Sequence, residues 1–387
     1  MGAVSGVALQ MDVLQSLLED PLLLAVAVLV VGVVLAVGWL VVGRFGRTPG
    51  ERLAGLLADH DEVAVLMHPN PDPDAMSAAL AAEAIAEYVG TETSLYHPGQ
   101  IRHQENRAFE TVLELDCERI ETAADIDADP VVLVDHNEPR GFSGSEGIDP
   151  IAVVDHHPGD GTGRAFTDVR TDNGACASIF AEYFREMGWE PVGLDGTPEE
   201  ADALSPRVAT GLLYGIQSDT KSLTKGCSRA GFEASAYLYP GTDEDRLDRI
   251  ANPKVDAEVL DVKATAISQR EVRNPFVVSD IGTVSNVDAI PQAADELLRL
   301  EGVTAVVVLG DKDGTIHLSG RSRDDRVHMG KTLRTAVEEV PMSGAGGHAR
   351  MGGGQLSVDH MEGLGPGNGV SRAELKERLF EVMGGDV

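Results

Sequence analysis

Eight residues, His68-Pro-Asn-Pro-Asp-Pro-Asp-Ala75, place one imidazole and two carboxylates in a single turn, with Asp72 and Asp74 separated by Pro73. The same side-chain types recur at Asp135, in Asp155-His156-His157, and at Asp219. In isolation each has an ordinary explanation, since an aspartate caps a helix or closes a turn and a histidine makes a structural hydrogen bond. Their recurrence at the ends of apolar runs is harder to explain in that way. Carboxylates and imidazoles gathered at one place repel one another or lose hydration unless a cation holds them. A mixed set of Asp and His donors suits Mn²⁺ or another divalent first-row metal, with Mg²⁺ as the harder alternative.

The elements that would gather these residues follow from hydrophobic pattern. Apolar runs at 63–67, Val131 to Val134 and Ile151 to Val154 read as buried strands, and 91–96 as a weaker one. Met67 is followed by His68, Val134 by Asp135 and Val154 by Asp155, so parallel strands would aim all three at one rim. Open α/β sheets bind their ligands at that rim. Helical spacing covers Ser77 to Val89, Gly174 to Met187 and Ser205 to Tyr214, which leaves Asp219 in a turn after the last helix. Gly226 to Arg270 reads as helical and charged, a bridge to a second α/β unit. That unit has strands at Phe276 to Val284, Ala305 to Leu309 and Thr315 to Ser319, with a helix from Asp288 to Leu300. The expected architecture is two α/β lobes: an N-terminal, mainly parallel sheet with flanking helices, then a smaller C-terminal α/β domain. Near the end, Gly346-Gly347-His348 offers backbone N–H groups at close approach and an imidazole, an anion cradle. Arg321 and Ser322 stand at a strand end as partners for a phosphate, and Arg140, five residues beyond Asp135, reaches either a phosphate or an acidic surface neighbour.

Composition narrows the class. Among 387 residues, 63 are Asp or Glu and 31 are Lys or Arg, giving a formal charge of −32, while 43% are hydrophobic. Only seven of the basic residues are lysine. An acidic, lysine-poor coat over substantial cores resembles the proteins of salt-loving microbes, and it excludes a grip on long duplex nucleic acid, which needs a basic stripe. A small nucleotide held through metals stays compatible. Cys117, Cys176 and Cys227 are far apart with no C-x-x-C pair, so neither a zinc knuckle nor a disulfide framework is indicated. Leu22 to Val42 is an unbroken apolar run with Glu19 and Asp20 before it and Arg44 and Arg47 after it. As a helix it is roughly 30 Å long, enough to cross a bilayer. The flanking arginines place the main body on the cytoplasmic side of a cell membrane that the chain spans once. The expected divisions are a short segment 1–20, a transmembrane helix 21–43, a juxtamembrane linker 44–60, a catalytic domain 61–225, a helical linker 226–274 and a substrate-binding domain 275–387. A homodimer is compatible with this pattern.

Taken in order, H-x-x-P-D-x-D-A at 68–75, V-D-H-N-E-P-R at 134–140, V-V-D-H-H at 153–157, G-I-Q-S-D-T at 215–220, S-G-R-S at 319–322 and G-A-G-G-H-A-R-M-G-G-G at 344–354 form an ordered set. The set resembles the DHH phosphoesterase superfamily with its DHH-associated C-terminal domain, most of all its nano-RNase and cyclic-dinucleotide phosphodiesterase branch. The resemblance covers roughly residues 60 to 356. It implies a two-metal site in which His68, Asp72 and Asp135 hold one cation, Asp74, Asp135, His156 and Asp219 hold the other, and Asp135 bridges. It implies a catalytic set of Asp135, Asp155 and His157, with His157 beside the phosphate or the leaving group and Asp155 orienting an imidazole. Substrate contacts are implied for Arg140, Arg321, Ser322, Gly346, Gly347 and His348.

The implied activity is Mn²⁺-dependent hydrolysis of a small nucleotide: cyclic di-AMP, its linear product, short oligoribonucleotides or 3′-phosphoadenosine 5′-phosphate. One alternative is an inorganic pyrophosphatase of the same superfamily, suggested by Asp135-His-Asn-Glu138. Another is a membrane nucleotide receptor without turnover, against which stands the complete ligand set. The chain departs from the family at Pro73, where glycine is common, and after His157, where Pro-Gly-Asp-Gly lacks an expected asparagine. It departs again at Lys221, where a glycine commonly follows the D-T pair; this extra cation reads either a second phosphate or the acidic surface.

Overall fold

The computed structural model describes residues 46–385 except 102, 195–201, 325 and 365–368, together with 22, 25, 26, 28–30, 32 and 33. The expected transmembrane helix and the segment before it therefore lie almost wholly outside the described residues, and no described helix is long and apolar enough to cross a membrane. The chain divides into two units, Met1–Pro253 and Lys254–Val387.

The first unit runs α1 (Pro49–Leu57), β1 (Glu62–Leu66), α2 (Pro73–Val89), β2 (Glu92–Pro98), α3 (Gln104–Val112), β3 (Glu118–Ile120), β4 (Val131–Val134), β5 (Ala152–Asp155), β6 (Phe166–Val169) and α4 (Cys176–Glu186). The two-residue strands β7 (Glu190–Pro191) and β8 (Ala203–Leu204) follow, then α5 (Pro206–Asp219), α6 (Arg229–Leu238) and α7 (Glu244–Ala251). Six strands pair in the order β3-β2-β1-β4-β5-β6, every neighbour parallel. Both faces of this sheet are covered, which is why its strands are apolar throughout rather than alternating. Val63, Val65, Val132 and Val134 face the larger core beneath the helices, whereas Ala64, Leu66, Leu133 and Val153 face a smaller one closed by Ile126, Phe142 and Ile148 of the connecting segments. The strand order reverses between β1 and β4, and such a reversal opens a crevice above the carboxyl ends of those two strands.

Two helices set the geometry of that crevice. Helix α2 begins at Pro73, four residues before the apolar periodicity starts, because Asp72 caps it and proline fits the first helical position, where its missing N–H is no loss. Pro73, an oddity in the motif, is thus a helix start. Alanine at 75, 78, 79, 81 and 82 is fully buried and lets α4 and α5 approach closely. Helix α5 extends five residues past the expected Tyr214, so Asp219 is its final residue and not part of a turn.

The second unit comprises α8 (Ala257–Ser268), β9 (Arg270–Arg273), β10 (Phe276–Thr283), α9 (Ala289–Leu297), β11 (Ala305–Lys312), β12 (Thr315–Ser322), α10 (Met329–Val337), β13 (Gly344–Gly347), β14 (Met351–Ser357), α11 (Val358–Met361) and α12 (Arg372–Gly384). Its sheet order is β13-β14-β12-β11-β10-β9, with only β10 and β11 parallel. Period-two alternation along β11 sends Ala305, Val307 and Leu309 to the core under α10 and α12, and Val306 and Val308 to the core under α8 and α9. The charged stretch expected to bridge the lobes is divided between them: Ala234, Leu238 and Ile250 of α6 and α7 join the first core, and Val259, Val262 and Ala266 of α8 join the second.

Candidate metal centre

Because β1, β4 and β5 are parallel and in register, with Leu66 opposite Leu133 and Val134 opposite Val154, the residues after them emerge side by side. Their donor atoms fall into two sets. His68 Nε2 lies 3.7 Å from Asp72 Oδ1 and 3.4 Å from Asp135 Oδ2. His156 Nε2 lies 3.3 Å from Asp135 Oδ1, 3.4 Å from Asp219 Oδ2 and 3.6 Å from Asp74 Oδ2. One carboxylate therefore offers an oxygen to each set. Two donors each about 2.1 Å from a common cation stand roughly 3.0–3.5 Å apart, whereas charge-assisted hydrogen bonds close to about 2.7–2.9 Å. Asp135 Oδ1 and His156 Nε2 are buried with no hydrogen-bond partner. Orphaned buried polar atoms are uncommon, and two of them facing each other at 3.3 Å fit a shared cation.

The charges tell the same story. Burial pushes the Asp74 carboxyl well above its usual range, and the Asp135 and Asp219 charges add to that; Asp219 is raised first by burial, with Asp72 and Asp135 adding to it. Burial works against charge on Asp135 too, but the His156 and His68 rings more than offset it and hold this carboxyl below the ordinary carboxylate range. Burial likewise opposes charge on those two rings, yet the Asp135 carboxylate beside both, with Asp72 for one and Asp219 for the other, raises each to about 11. Crowded, buried acids of this kind gain from a positive charge among them, which a divalent cation held by the same donors would supply.

Surrounding groups fix each donor. Asp72 Oδ1 accepts the N–H groups of Asp74 and Ala75, so the helix cap and the candidate ligand are one side chain. Both Asp74 oxygens accept backbone N–H groups at the start of α4, from Cys176 at 2.6 Å and Ala177 at 2.8 Å. That helix has Ala175 at its cap position, which offers no side-chain oxygen, and Asp74 supplies the missing cap from the opposite helix. Asp135 holds φ at 59°, a left-handed conformation tolerated best by Asn and Asp, with its N–H donated to the Val154 carbonyl. The imidazoles are steered through Nδ1, which lies 3.0 Å from the Pro69 carbonyl in His68 and 3.2 Å from the Asn173 carbonyl in His156. Asn106, buried, donates to the Pro71 carbonyl and so pins the ligand turn.

Asp155 orients His157 and not His156: its Oδ1 accepts from His157 Nδ1 at 2.9 Å, and its Oδ2 accepts from Asn137 at 2.8 Å. His157 is 45% exposed, and hydrogen bonding to Asp155 raises its pKa. Asn137, which also reaches the His157 and Pro158 carbonyls, was not singled out by sequence; its place in the Asp-His-Asn run was the available signal. His136 is buried, its Nδ1 2.9 Å from the Val134 carbonyl, and burial lowers its pKa to about 4. Arg140 is exposed and makes no ion pair among the described residues.

The remaining candidates lie in the second unit. On β12, Arg321 and Ser322 point to opposite faces: Arg321 pairs with Asp295 of α9 at 2.6 Å, while the Ser322 hydroxyl is buried and donates to the Asp324 carbonyl. Register sets Arg321 against Met351, beside the exposed His348 at the β13–β14 turn. The cradle expected at 346–348 takes another form. The His348 N–H donates to the Met351 carbonyl, and the His348 and Ala349 carbonyls accept from Gly330 and Met329 at the start of α10. Gly347, at φ 137°, is required here, because a Cβ would lie 2.4 Å from the Met351 carbonyl oxygen.

The first unit is a parallel α/β unit with carboxylate–imidazole donor sets at its switch point, and the second is a mixed-sheet α/β unit with a glycine hairpin. The chain belongs to the DHH family: residues 62–216 match the DHH family N-terminal domain and residues 273–364 match the DHHA1 domain. An uncharacterized protein of Methanocaldococcus jannaschii is 31% identical over 349 residues, covering 88% of this chain and 66% of that protein. The cyclic-di-AMP phosphodiesterase GdpP of Geobacillus thermodenitrificans is 27% identical, covering 80% of this chain and 47% of that one. A probable manganese-dependent inorganic pyrophosphatase of Enterococcus faecalis is 32% identical, covering 60% of this chain and 75% of that one. The chain thus spans about two thirds of the first relative and about half of the second.

Proposed function

We propose that the chain is a two-metal phosphoesterase that hydrolyses small nucleotides, with cyclic di-AMP, linear dinucleotides, short oligoribonucleotides and 3′-phosphoadenosine 5′-phosphate as the candidate substrates. The observation that carries this reading is Asp135, whose two oxygens are shared between two complete donor sets. Bound there, two divalent cations, Mn²⁺ by donor chemistry, would lower the pKa of a water and clamp phosphoryl oxygens. The protein's own part is to hold and move protons. His157, gripped at Nδ1 by Asp155, presents Nε2 outward as the donor of a proton to the leaving oxygen. Arg140, exposed and free of ion pairs among the described residues, is the nearby contact for a phosphate. Arg321 and His348 are the second unit's candidates for nucleotide contact. The apolar run Leu22 to Val42 supports a membrane-attached enzyme facing the cytoplasm.

Pyrophosphatase activity is the second reading, favoured by the 32% identity to the Enterococcus faecalis protein. The full chain with Mn²⁺ at high salt, given cyclic di-AMP, linear diadenylate and pyrophosphate in parallel, separates the two. Nucleotide cleavage with pyrophosphate intact is expected, and cleavage of pyrophosphate alone would favour the second reading. No cleavage of these three, nor of short oligoribonucleotides or 3′-phosphoadenosine 5′-phosphate, would refute both.

Asn137→Ala should lower kcat about ten- to a hundredfold, since a partner that orients the proton donor is lost while the donors to metal remain. Steady-state kinetics beside metal analysis checks this. Undiminished kcat would remove Asn137 from the mechanism.

A further inference from the structure

Lys221 and Lys225 are the only lysines among residues 1–253. They stand two and six positions after Asp219, the last residue of α5 and a member of the second donor set. Lys221, Ser222 and Leu223 have φ of 48°, 56° and 63°, three successive non-glycine residues in the left-handed region. Such a run persists only where its surroundings over-determine it, and here they do. The Thr220 hydroxyl donates to the Ile216 carbonyl and accepts the Leu223 N–H, the Thr224 and Lys225 N–H groups both reach the Thr220 carbonyl, and the Ser222 N–H reaches the Gln217 carbonyl. The turn folds back on the end of α5, so Lys225 stays beside Thr220 in spite of the intervening residues. Both lysines are exposed, and neither has an ion-pair or side-chain hydrogen-bond partner among the described residues.

Several cations of this acidic unit find acids, as Arg119 does with Glu121, Arg164 with Asp149, Arg170 with Glu182 and Arg207 with Glu83, whereas the exposed Arg140 pairs with none among the described residues. What sets Lys221 and Lys225 apart is that two unpaired ammonium groups share one rigid turn, and that turn begins at the end of the helix that carries Asp219. Two residues span at most about 7 Å, and a lysine arm adds roughly 6 Å, so a group held against Asp219 lies within reach of Lys221. An anionic ligand approaching a chain of charge −32 meets general repulsion, and fixed local cations are what offset it. The compact ammonium serves as a point charge for a phosphate where a planar guanidinium is not needed.

We propose that Lys221 and Lys225 form a second phosphate subsite beside the Asp219 end of the centre, selecting substrates that carry another phosphate next to the one attacked. It rests on the phosphoesterase reading only for the word substrate. The class selected is the linear dinucleotide with a 5′-phosphate over its unphosphorylated counterpart.

The test compares 5′-phosphorylated diadenylate with diadenylate on the full chain. Dissociation constants are measured by calorimetry with Ca²⁺ in place of Mn²⁺, and hydrolysis is run separately with Mn²⁺. Wild type should bind the phosphorylated ligand at least about tenfold more tightly, and the Lys221→Gln/Lys225→Gln variant should bring the two within about twofold, with diadenylate binding and the melting temperature unchanged. Arginine at both positions should restore part of the preference. A preference that survives in the glutamine variant, or an equal loss for both ligands, overturns the subsite. Hydrolysis keeps the two ideas apart: a collapsed binding preference in a protein that cleaves neither ligand supports the subsite while refuting the enzyme, and turnover with an unchanged preference refutes the subsite alone.

Discussion

Asp135→Asn should abolish turnover, lowering kcat/KM by at least about a thousandfold, and should reduce bound Mn²⁺ from two per chain to one or none. The carboxylate is the only side chain common to the His68 and His156 donor sets, and each set takes a different oxygen. An amide has the same shape but no charge, and one end of it is a donor that cannot face a cation. The fold should survive. Asn tolerates the φ of 59° nearly as well as Asp, and the N–H bond to the Val154 carbonyl does not involve the side chain. Metal analysis and circular dichroism on the same sample check both halves. Hydrolysis at the wild-type rate would sink the two-metal assignment.

Gly215→Ala should destabilise the protein by about 1–3 kcal/mol, the usual cost of one group too many in a packed interior. The added Cβ would stand 2.3 Å from the Ser77 hydroxyl, 3.1 Å from the Ala177 Cβ and 3.2 Å from the Pro73 carbonyl oxygen. Those neighbours belong to the starts of α2 and α4, the segments that carry Asp74 and clamp its oxygens. Asp219 lies one turn along α5 on the same side as Gly215, so a wedge there also shifts Asp219 relative to Asp74. Weaker Mn²⁺ binding should accompany the lower stability. Gly55→Ala is the control: it lies within α1, where the nearest atom to a new Cβ is the end of the Arg47 side chain at 3.4 Å, and alanine there should be neutral or stabilising. Chemical denaturation with Mn²⁺ titration reads both, and a Gly215→Ala protein as stable as wild type with unaltered metal affinity would show that the helices yield without cost.

The candidate site was legible because its residues follow apolar strands, and buried parallel strands are the strongest short-range pattern a sequence offers. His68, Asp135 and His156 could be placed at one rim from the words around them. Asp219 could not, since nothing in Tyr214-Gly-Ile-Gln-Ser marks whether a helix continues; burial of Ile216 against the core decides that it does. Asn137 and the amides of Cys176 and Ala177 were missed because their roles rest on contacts between distant segments, and a backbone N–H carries no residue name. In the second unit β10, β11 and β12 were visible, but β9, β13 and β14 were not read as strands, and α10 and α12 were not read as helices. Gly346 and Gly347 looked like a ligand cradle; much of their reason is mechanical, because α10 starts so close to β13 that a Cβ on Gly330 would fall 2.2 Å from the Gly347 carbonyl oxygen.

The reversal of strand order between β1 and β4 has a consequence for how the chain is made. Synthesised from the N-terminus, the protein carries His68, Asp72 and Asp74 on a finished strand and helix long before Asp219 exists. β4 and β5 must then dock on the far side of β1, and α5 must return across the sheet, each closing a long loop at an entropic cost. No nascent chain that stops short of Asp219 can hold the complete donor set. Free energy that a cation contributed through the second set would reach the fold only at that late point, and it would weight the finished structure over the partial ones.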